Sequence, residues 1–174
     1  VMAADVPNPC RYFCGREQEL EQLHQMLQEH GKLFLWGVAG IGKSEVAKAY
    51  AKQHKKEYTN ILYLSYTVDL ARDIAEMDFA DDLASDHEAE RFRKHNRFLR
   101  SLKEDTLLVI DQFNTTASQE STLSVVMKYR CRVLFTTRSR FDQYAAMELK
   151  EIADQQTLLH FAGCFYADAA KYKP

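Results

Sequence analysis

The chain has 174 residues, of which 46% are hydrophobic and 28% charged, and its formal net charge is -2. This composition excludes a disordered polar chain, and the charge balance gives no electrostatic basis for direct contact with nucleic acid. Four scattered cysteines are too few for a disulfide scaffold, and no apolar stretch approaches the about 20 residues that cross a bilayer. We therefore expect a single cytoplasmic domain with reduced thiols and no membrane contact.

Strands and helices are predicted to alternate along the chain after an extended segment over residues 1–12. Apolar residues at helical spacing predict the first helix over residues 17–30, and Gly31 follows where a C-cap glycine is expected. Short apolar runs predict strands, and the breaker-free stretches between them predict helices. The predicted strands cover residues 33–36, 61–64, 106–110, 133–135 and 147–152, and the later helices cover residues 43–56, 67–77, 91–103, 117–129 and 154–166. This alternation favours a parallel α/β sheet with helices on both faces.

A charge reversal between residues 78 and 103 has two interpretations. Acidic residues precede basic residues that are interleaved with phenylalanines, a pattern that also occurs in nucleic-acid binders. We favour a solvated amphipathic helix, because Glu90 stands four residues before Lys94, a spacing that permits an ion pair. The apolar side of this helix would consist of Phe92, Leu99 and Leu102.

Three of the six glycines fall between residues 37 and 42. With the two residues that follow, they match the pattern G-x-x-x-x-G-K-[ST] of a phosphate-binding loop. Such a loop turns backbone N–H groups towards phosphates, which requires residues without a Cβ, and the next helix adds its N-terminal dipole. Lys43 would bridge the β- and γ-phosphates of a nucleotide, and the Ser44 hydroxyl would hold Mg²⁺. The loop consists of Gly37, Val38, Ala39, Gly40, Ile41, Gly42, Lys43 and Ser44.

Two further strand ends carry residues suited to a nucleotide site. The strand over residues 106–110 delivers the carboxylate of Asp111 to the edge of the sheet where open α/β proteins bind ligands, and where it would orient Mg²⁺. The strand over residues 133–135 is followed by Thr-Thr-Arg, and Arg138 would reach a terminal phosphate. A surface ion pair is the alternative role for Arg138.

Residues 13–17 read F-C-G-R-E, and residues 132–138 read R-V-L-F-T-T-R. Together with the phosphate loop and residues 107–111, these segments resemble the nucleotide-binding domain of the STAND signal-transduction ATPases, close to the NB-ARC branch and its bacterial-type AP-ATPases. The resemblance implies a domain over residues 13–166, with residues 167–174 beginning a further segment. It also implies a three-layer α/β/α P-loop NTPase fold whose five-stranded parallel sheet has the order 5-1-4-3-2.

The same resemblance implies positions around a bound ATP or ADP. Arg16 and the backbone around Phe13 would lie near the adenine. Glu45 would lie beside the α-phosphate, and Arg138 would face the γ-phosphate. In such proteins the domain is a switch that rests with ADP and signals with ATP, with covalently linked effector and sensor or repeat domains elsewhere. Nucleotide-dependent homo-oligomerisation of the full protein is left open.

Gln112 departs from the pattern of these relatives, which often have a second acidic residue after the metal-binding aspartate. Glutamine can orient water but accepts a proton poorly, so we expect slow ATP hydrolysis. The predicted catalytic residues are Lys43, Asp111, Gln112 and Arg138. Three other functions stay open: a motor or loader ATPase of the AAA+ type, a small-molecule kinase that uses the basic helix as a lid, and a scaffold that no longer binds nucleotide.

Overall fold

The computed structural model describes residues 6–9, 15–79, 82–83 and 86–152, and its centre is a five-stranded parallel sheet. The strands are β1 (Lys32–Trp36), β2 (Asn60–Ser65), β3 (Thr106–Asp111), β4 (Arg132–Thr137) and β5 (Ala146–Glu148). They lie in the order β2-β3-β4-β1-β5, and each pairing is parallel. Counted from the β5 edge, this is the predicted order 5-1-4-3-2, which is confirmed.

Helices cover both faces of this sheet. The helices are α1 (Glu17–His30), α2 (Lys43–Gln53), α3 (Leu70–Ala75), α4 (Glu88–Ser101) and α5 (Leu123–Val126). The buried side chains of α1 and α2 form one apolar cluster with the sheet, and those of α3, α4 and α5 form a second cluster on its other face. The predicted three-layer α/β/α fold is therefore confirmed.

The alternation of side chains along β3 decides which of them reach the candidate site. Leu107 and Val109 belong to the apolar cluster on the side of α1 and α2, whereas Leu108 and Ile110 face the other helical layer. Because successive side chains point to opposite faces of a strand, Asp111 continues the row of Leu107 and Val109. Its carboxylate therefore lies on the side of the sheet where α2 begins.

Several predicted boundaries agree with the structure, and others shift by a few residues. The first helix matches residues 17–30, and the N–H of Gly31 donates to the carbonyl of Leu27 at its end. α3 begins later than predicted, because the Asp69 carboxylate caps it by accepting the N–H groups of Ala71 at 2.9 Å and Arg72 at 3.1 Å. α2 and β5 end earlier than predicted.

The helix predicted over residues 117–129 is wrong in length, since α5 covers only Leu123–Val126. Glu120 is buried, and its carboxylate accepts the backbone N–H of Leu70 at 3.0 Å and the hydroxyl of Tyr66 at 3.3 Å. These contacts with a segment about 50 residues earlier in the chain hold Glu120 outside regular helix. Regular helix therefore begins only after it.

The predicted ion pair between Glu90 and Lys94 is also wrong. Lys94 Nζ lies 2.6 Å from Oδ2 of Asp86, because the segment before α4 folds back along the helix. The hydrogen bond from Lys94 holds the pKa of the Asp86 carboxyl below its usual value. The amphipathic helix itself is confirmed. Its predicted apolar side chains contact the cluster of the α3 layer: Phe92, Leu99 and Leu102.

Some predictions lie outside the described residues, and their outcome stays open. They concern residues 1–5, Phe13, the helix over residues 154–166, the segment 167–174, and Cys10, Cys14 and Cys164.

Cys131 is a buried free cysteine, and burial raises the pKa of its thiol to about 11. Within the described ranges, no helix combines the length and the apolar character needed to span a membrane.

Candidate functional site

The segment between β1 and α2 forms a tight loop that requires glycine at two points. A Cβ at Gly37 would lie 2.7 Å from the carbonyl oxygen of Leu149, so only glycine permits this approach of two backbone segments. Gly42 has φ 99° and is the N-cap residue of α2, a left-handed conformation that other residues adopt only with strain. The loop thus delivers Lys43 and Ser44 as the first two residues of the helix.

Lys43 lies across the loop that precedes it. Its Nζ donates to the carbonyl oxygens of Gly37 at 2.9 Å and Val38 at 2.7 Å. Burial lowers the pKa of Lys43, the nearby Arg138 guanidinium lowers it further, and Asp111 opposes this shift. A phosphate group would be a stronger acceptor for this ammonium than the two neutral carbonyls.

The carboxylate of Asp111 is buried and accepts three side-chain hydroxyls. Ser44 Oγ donates to Oδ1 at 2.7 Å, and Thr136 Oγ1 donates to the same oxygen. Tyr63 OH donates to Oδ2 at 2.5 Å. Burial, together with the adjacent Asp111, raises the pKa of Tyr63, so the phenol stays protonated.

The chain that follows β3 crosses the end of β4. The backbone N–H of Gln112 donates to Thr136 Oγ1 at 2.9 Å, and Gln112 has φ 59° although it is not glycine. Asn114 Oδ1 accepts the backbone N–H of Arg138 at 2.9 Å. A strained backbone that is fixed by neighbouring hydrogen bonds is typical of functional sites.

These strand ends and the phosphate loop surround one open cavity of about 440 Å³. Its lining combines the positive charges of Lys43 and Arg138 with hydroxyl and amide groups. The lining residues are Ala39, Gly40, Gly42, Lys43, Ser44, Glu45, Gln112, Asn114, Thr136, Thr137 and Arg138. The cavity lies at the carboxyl ends of β1, β3 and β4, the usual ligand position in open parallel sheets.

Arg16 contacts the phosphate loop outside the cavity. It is 7% exposed, and its guanidinium donates to the carbonyl oxygens of Lys150 at 2.6 Å and Ile41 at 3.3 Å. It also forms a 2.8 Å ion pair with Glu19. Arg16 thus connects the phosphate loop to α1 and to the segment after β5. The proximity to adenine that the family resemblance implies for it stays a prediction.

The structure brings most of the predicted site residues together. Several of the described predicted residues do not line the cavity, among them Arg16, Gly37, Val38 and Ile41. Asp111 lies just beneath the cavity, where it accepts the Ser44 hydroxyl. Glu45 lines it and pairs with Lys48 at 3.0 Å.

No local sequence pattern indicates the contacts made by Tyr63, Thr136 or Asn114. Tyr63 and Asp111 lie on the same face of the sheet, which would indicate their contact. That inference needs the register of β2 on β3, which the sequence does not provide.

The donor set at Ser44 and Asp111 is suited to a hard divalent cation. The Ser44 hydroxyl lines the cavity and lies 2.7 Å from the Asp111 carboxylate oxygen beneath it, and Mg²⁺ prefers oxygen ligands of this kind. The residues present therefore fit the ion that phosphate-loop proteins use. The site combines a loop of the phosphate-binding pattern, the cations of Lys43 and Arg138, and the oxygen ligands of Ser44 and Asp111. These groups are suited to binding a nucleoside di- or triphosphate.

Comparisons with solved structures agree with this fold. The chain is similar to a Walker-type ATPase of Pyrococcus abyssi at 14% identity and a TM-score of 0.60, covering 97% of this chain and 62% of that one. It is similar to AMPPCP-bound DnaA from Aquifex aeolicus at 15% identity and a TM-score of 0.56, and the match covers 90% of this chain and 53% of that one. It is similar to the Hsp104–ADP complex of S. cerevisiae at 18% identity and a TM-score of 0.56, and the match covers 90% of this chain and 24% of that one.

The chain therefore spans less than two thirds of the length of each of these proteins, and at such identities the likeness concerns the fold alone. No curated protein sequence matches the chain. A family match covers residues 12–127, which is more than half of the chain and includes the phosphate loop and Asp111. The chain belongs to the AAA ATPase domain family.

Proposed function

We propose that this domain binds ATP and ADP as a conformational switch and hydrolyses ATP slowly with Mg²⁺. The observation that carries the proposal is the convergence of Lys43, Ser44 and Arg138 on one cavity, with Asp111 directly behind Ser44. Two structural neighbours, DnaA and Hsp104, are described with AMPPCP and ADP, which supports an adenine nucleotide as the ligand.

Lys43 would exchange its two carbonyl acceptors for phosphate oxygens, so that nucleotide binding changes the hydrogen bonding of the loop itself. Ser44 and Asp111 would hold Mg²⁺, which when bound neutralises charge on the β- and γ-phosphates. Arg138, which also lines the cavity, would stabilise negative charge on the terminal phosphate. Glu45 and Arg16 would remain near the nucleotide, as the family resemblance implies.

Hydrolysis would be slow because no carboxylate occupies position 112. Gln112 lines the cavity, and its amide can orient a water molecule without removing a proton from it efficiently. We therefore assign it a positioning task and expect turnover well below the roughly 1–100 s⁻¹ of ordinary kinases. A domain that keeps ATP bound for long periods is suited to signalling its nucleotide state.

The finer proposal is that this domain is the NB-ARC-like switch of a longer STAND-type signalling ATPase in the cytoplasm. The F-C-G-R-E segment and the Thr-Thr-Arg strand end support it. A motor or loader ATPase of the AAA+ type is the second candidate, and the AAA ATPase family match supports it equally. The two differ in rate, since a motor requires fast turnover that depends on neighbouring subunits.

Calorimetric titration of ADP and of a slowly hydrolysed ATP analogue tests the proposed binding site. Wild type should bind both with Mg²⁺. Lys43→Ala should bind at least tenfold more weakly, because a charge-assisted hydrogen bond contributes about 1.5–3 kcal/mol. Lys52→Ala is the matched control, since it removes an exposed lysine from the far end of the same helix. Equal binding by Lys43→Ala and wild type would reject the site.

A further inference from the structure

A second cluster of ligand-type side chains lies at the opposite end of α2 from the phosphate loop. It consists of His24 on α1, His54 at the C-cap of α2, and Glu57 in the turn that follows. The turn is closed by a 2.9 Å hydrogen bond from the N–H of Glu57 to the carbonyl of His54. α2 has 11 residues, so the cluster is separated from Lys43 by about 16 Å along the helix.

The donor atoms of this cluster already converge. One nitrogen from each imidazole and one carboxylate oxygen lie within 4.8 Å of one another. Glu57 bridges the two rings: its Oε1 lies 2.7 Å from His54 Nδ1, and its Oε2 lies 3.7 Å from His24 Nε2. The rings are stacked with centroids 4.2 Å apart.

The hydrogen bonding of His54 is incomplete. Its side chain is 9% exposed, and its Nε2 has no hydrogen-bond partner among the described residues. A buried polar atom without a partner destabilises the fold, because it loses its hydration and gains no hydrogen bond. The only described hydrogen bond of this ring is the one from Nδ1 to Glu57, so its second nitrogen is available to a ligand.

We propose that His24, His54 and Glu57 bind a divalent transition-metal ion of the Zn²⁺ type. Two imidazoles and one carboxylate form a donor set typical of Zn²⁺, whereas Mg²⁺ and Ca²⁺ prefer oxygen ligands alone. The stacked rings direct their lone pairs side by side, so binding requires His24 to turn out of the stack. Its side chain is 23% exposed and that of Glu57 is 52% exposed, so solvent reaches both and water can supply a fourth ligand.

A bound ion would connect the middle of α1 to the end of α2. His24 Nδ1 lies 3.1 Å from Tyr50 OH, which lies 2.8 Å from Tyr58 OH, so the cluster continues into the core of that layer. The ion would therefore stabilise the helical layer that also carries the phosphate loop. It would do so without touching the nucleotide cavity, and this proposal stands independently of the proposed ATPase function.

Titration of the tag-free chain with ZnCl₂ in excess Mg²⁺ tests the proposal, since Mg²⁺ occupies oxygen sites and competes poorly for imidazole. We expect one saturable site, at least tenfold weaker in His24→Gln and also weakened in Glu57→Gln. His30→Gln is the matched control, because His30 is an exposed histidine whose Nε2 lies 3.9 Å from Glu29, and no third ligand-type side chain joins them among the described residues. Its Zn²⁺ affinity should equal that of wild type.

Thermal unfolding gives a second readout, in which Zn²⁺ raises the melting temperature of wild type and His30→Gln more than that of His24→Gln. Circular dichroism checks the fold of each variant, and Glu57→Gln, altered on a half-exposed side chain, replaces His24→Gln if the latter does not fold. Absence of saturable binding by wild type overturns the proposal. Unchanged affinity in the folded variants also overturns it, since the ion would then be held elsewhere, for example by thiols.

Discussion

Tyr63 on β2 donates its phenol hydrogen to Oδ2 of Asp111 on β3 at 2.5 Å. The two strands pair in parallel with Tyr63 opposite Val109, so the phenol reaches diagonally along one face of the sheet. Ser44 and Thr136 occupy the other carboxylate oxygen. Tyr63 therefore helps to fix the rotation of the Asp111 carboxylate, in which one oxygen faces Ser44.

Replacing Tyr63 with Phe should loosen this carboxylate while leaving the strands in place. We expect the free energy of unfolding to fall by about 1.5–3 kcal/mol, the usual contribution of a hydrogen bond to a charged group. We also expect a higher Mg²⁺ concentration for half-maximal nucleotide binding. Tyr58→Phe is the control, because its phenol is bonded to Tyr50 and lies away from Asp111. If both variants need the same Mg²⁺ concentration as wild type, Tyr63 does not position Asp111.

Gly37→Ala should disturb the phosphate loop more than Gly31→Ala disturbs the end of α1. The new Cβ at residue 37 would lie 2.7 Å from Leu149 O, so backbone must move, whereas a Cβ at Gly31 meets no atom within 4 Å. Gly31→Ala should cost about 1–2 kcal/mol, because φ is +73° there. Nucleotide titration and thermal unfolding distinguish the two: only Gly37→Ala should lose affinity. Loss of affinity in Gly31→Ala would contradict this assignment.

Nucleotide binding should weaken as pH rises and Lys43 loses its proton. This should happen at a lower pH than it would with a lysine of ordinary pKa. Burial and Arg138 lower the pKa of Lys43, so its ammonium is lost earlier as pH rises. Bound phosphates favour the charged form, and binding in alkaline buffer should therefore take up protons. Calorimetry in buffers of different ionisation enthalpy measures this uptake. Arg138→Gln should move the midpoint to higher pH, and a midpoint that moves down or stays fixed would contradict the role of Arg138.

Gln112→Glu should raise the rate of ATP hydrolysis, because a carboxylate accepts a proton from water better than an amide does. Gln112→Asn is the control, since it keeps an amide and tolerates the left-handed φ of 59°. Steady-state phosphate release is the measurement. A wild-type rate of several per second, or a Gln112→Glu rate no higher than that of wild type, would remove the argument for slow hydrolysis.

The parallel sheet and the position of the site at its edge were predictable because the phosphate loop, Asp111 and the Thr-Thr-Arg end each follow a short apolar strand. Parallel strands place their carboxyl ends at one edge, so these three groups meet without further information. The placement of Lys43 and Ser44 at the start of α2 was predictable from spacing alone, since their positions relative to the glycines are local. The family resemblance supplied the order of the strands.

Contacts between distant segments could not be predicted in this way. Tyr63 depends on the register of two strands that are separated by about 40 residues of chain. α5 is short because Glu120 is held by Leu70, and Lys94 pairs with Asp86 because a loop folds back. In each case a long-range or loop contact overrides the local pattern.

The most direct test of the central claim is to identify the nucleotide that the freshly purified, tag-free chain releases on denaturation. Chromatography of the supernatant should find ADP in near-equal amount to protein for wild type. The Lys43→Ala variant should release little. A chain that carries no nucleotide, yet hydrolyses added ATP rapidly, would contradict the switch and favour a motor or kinase.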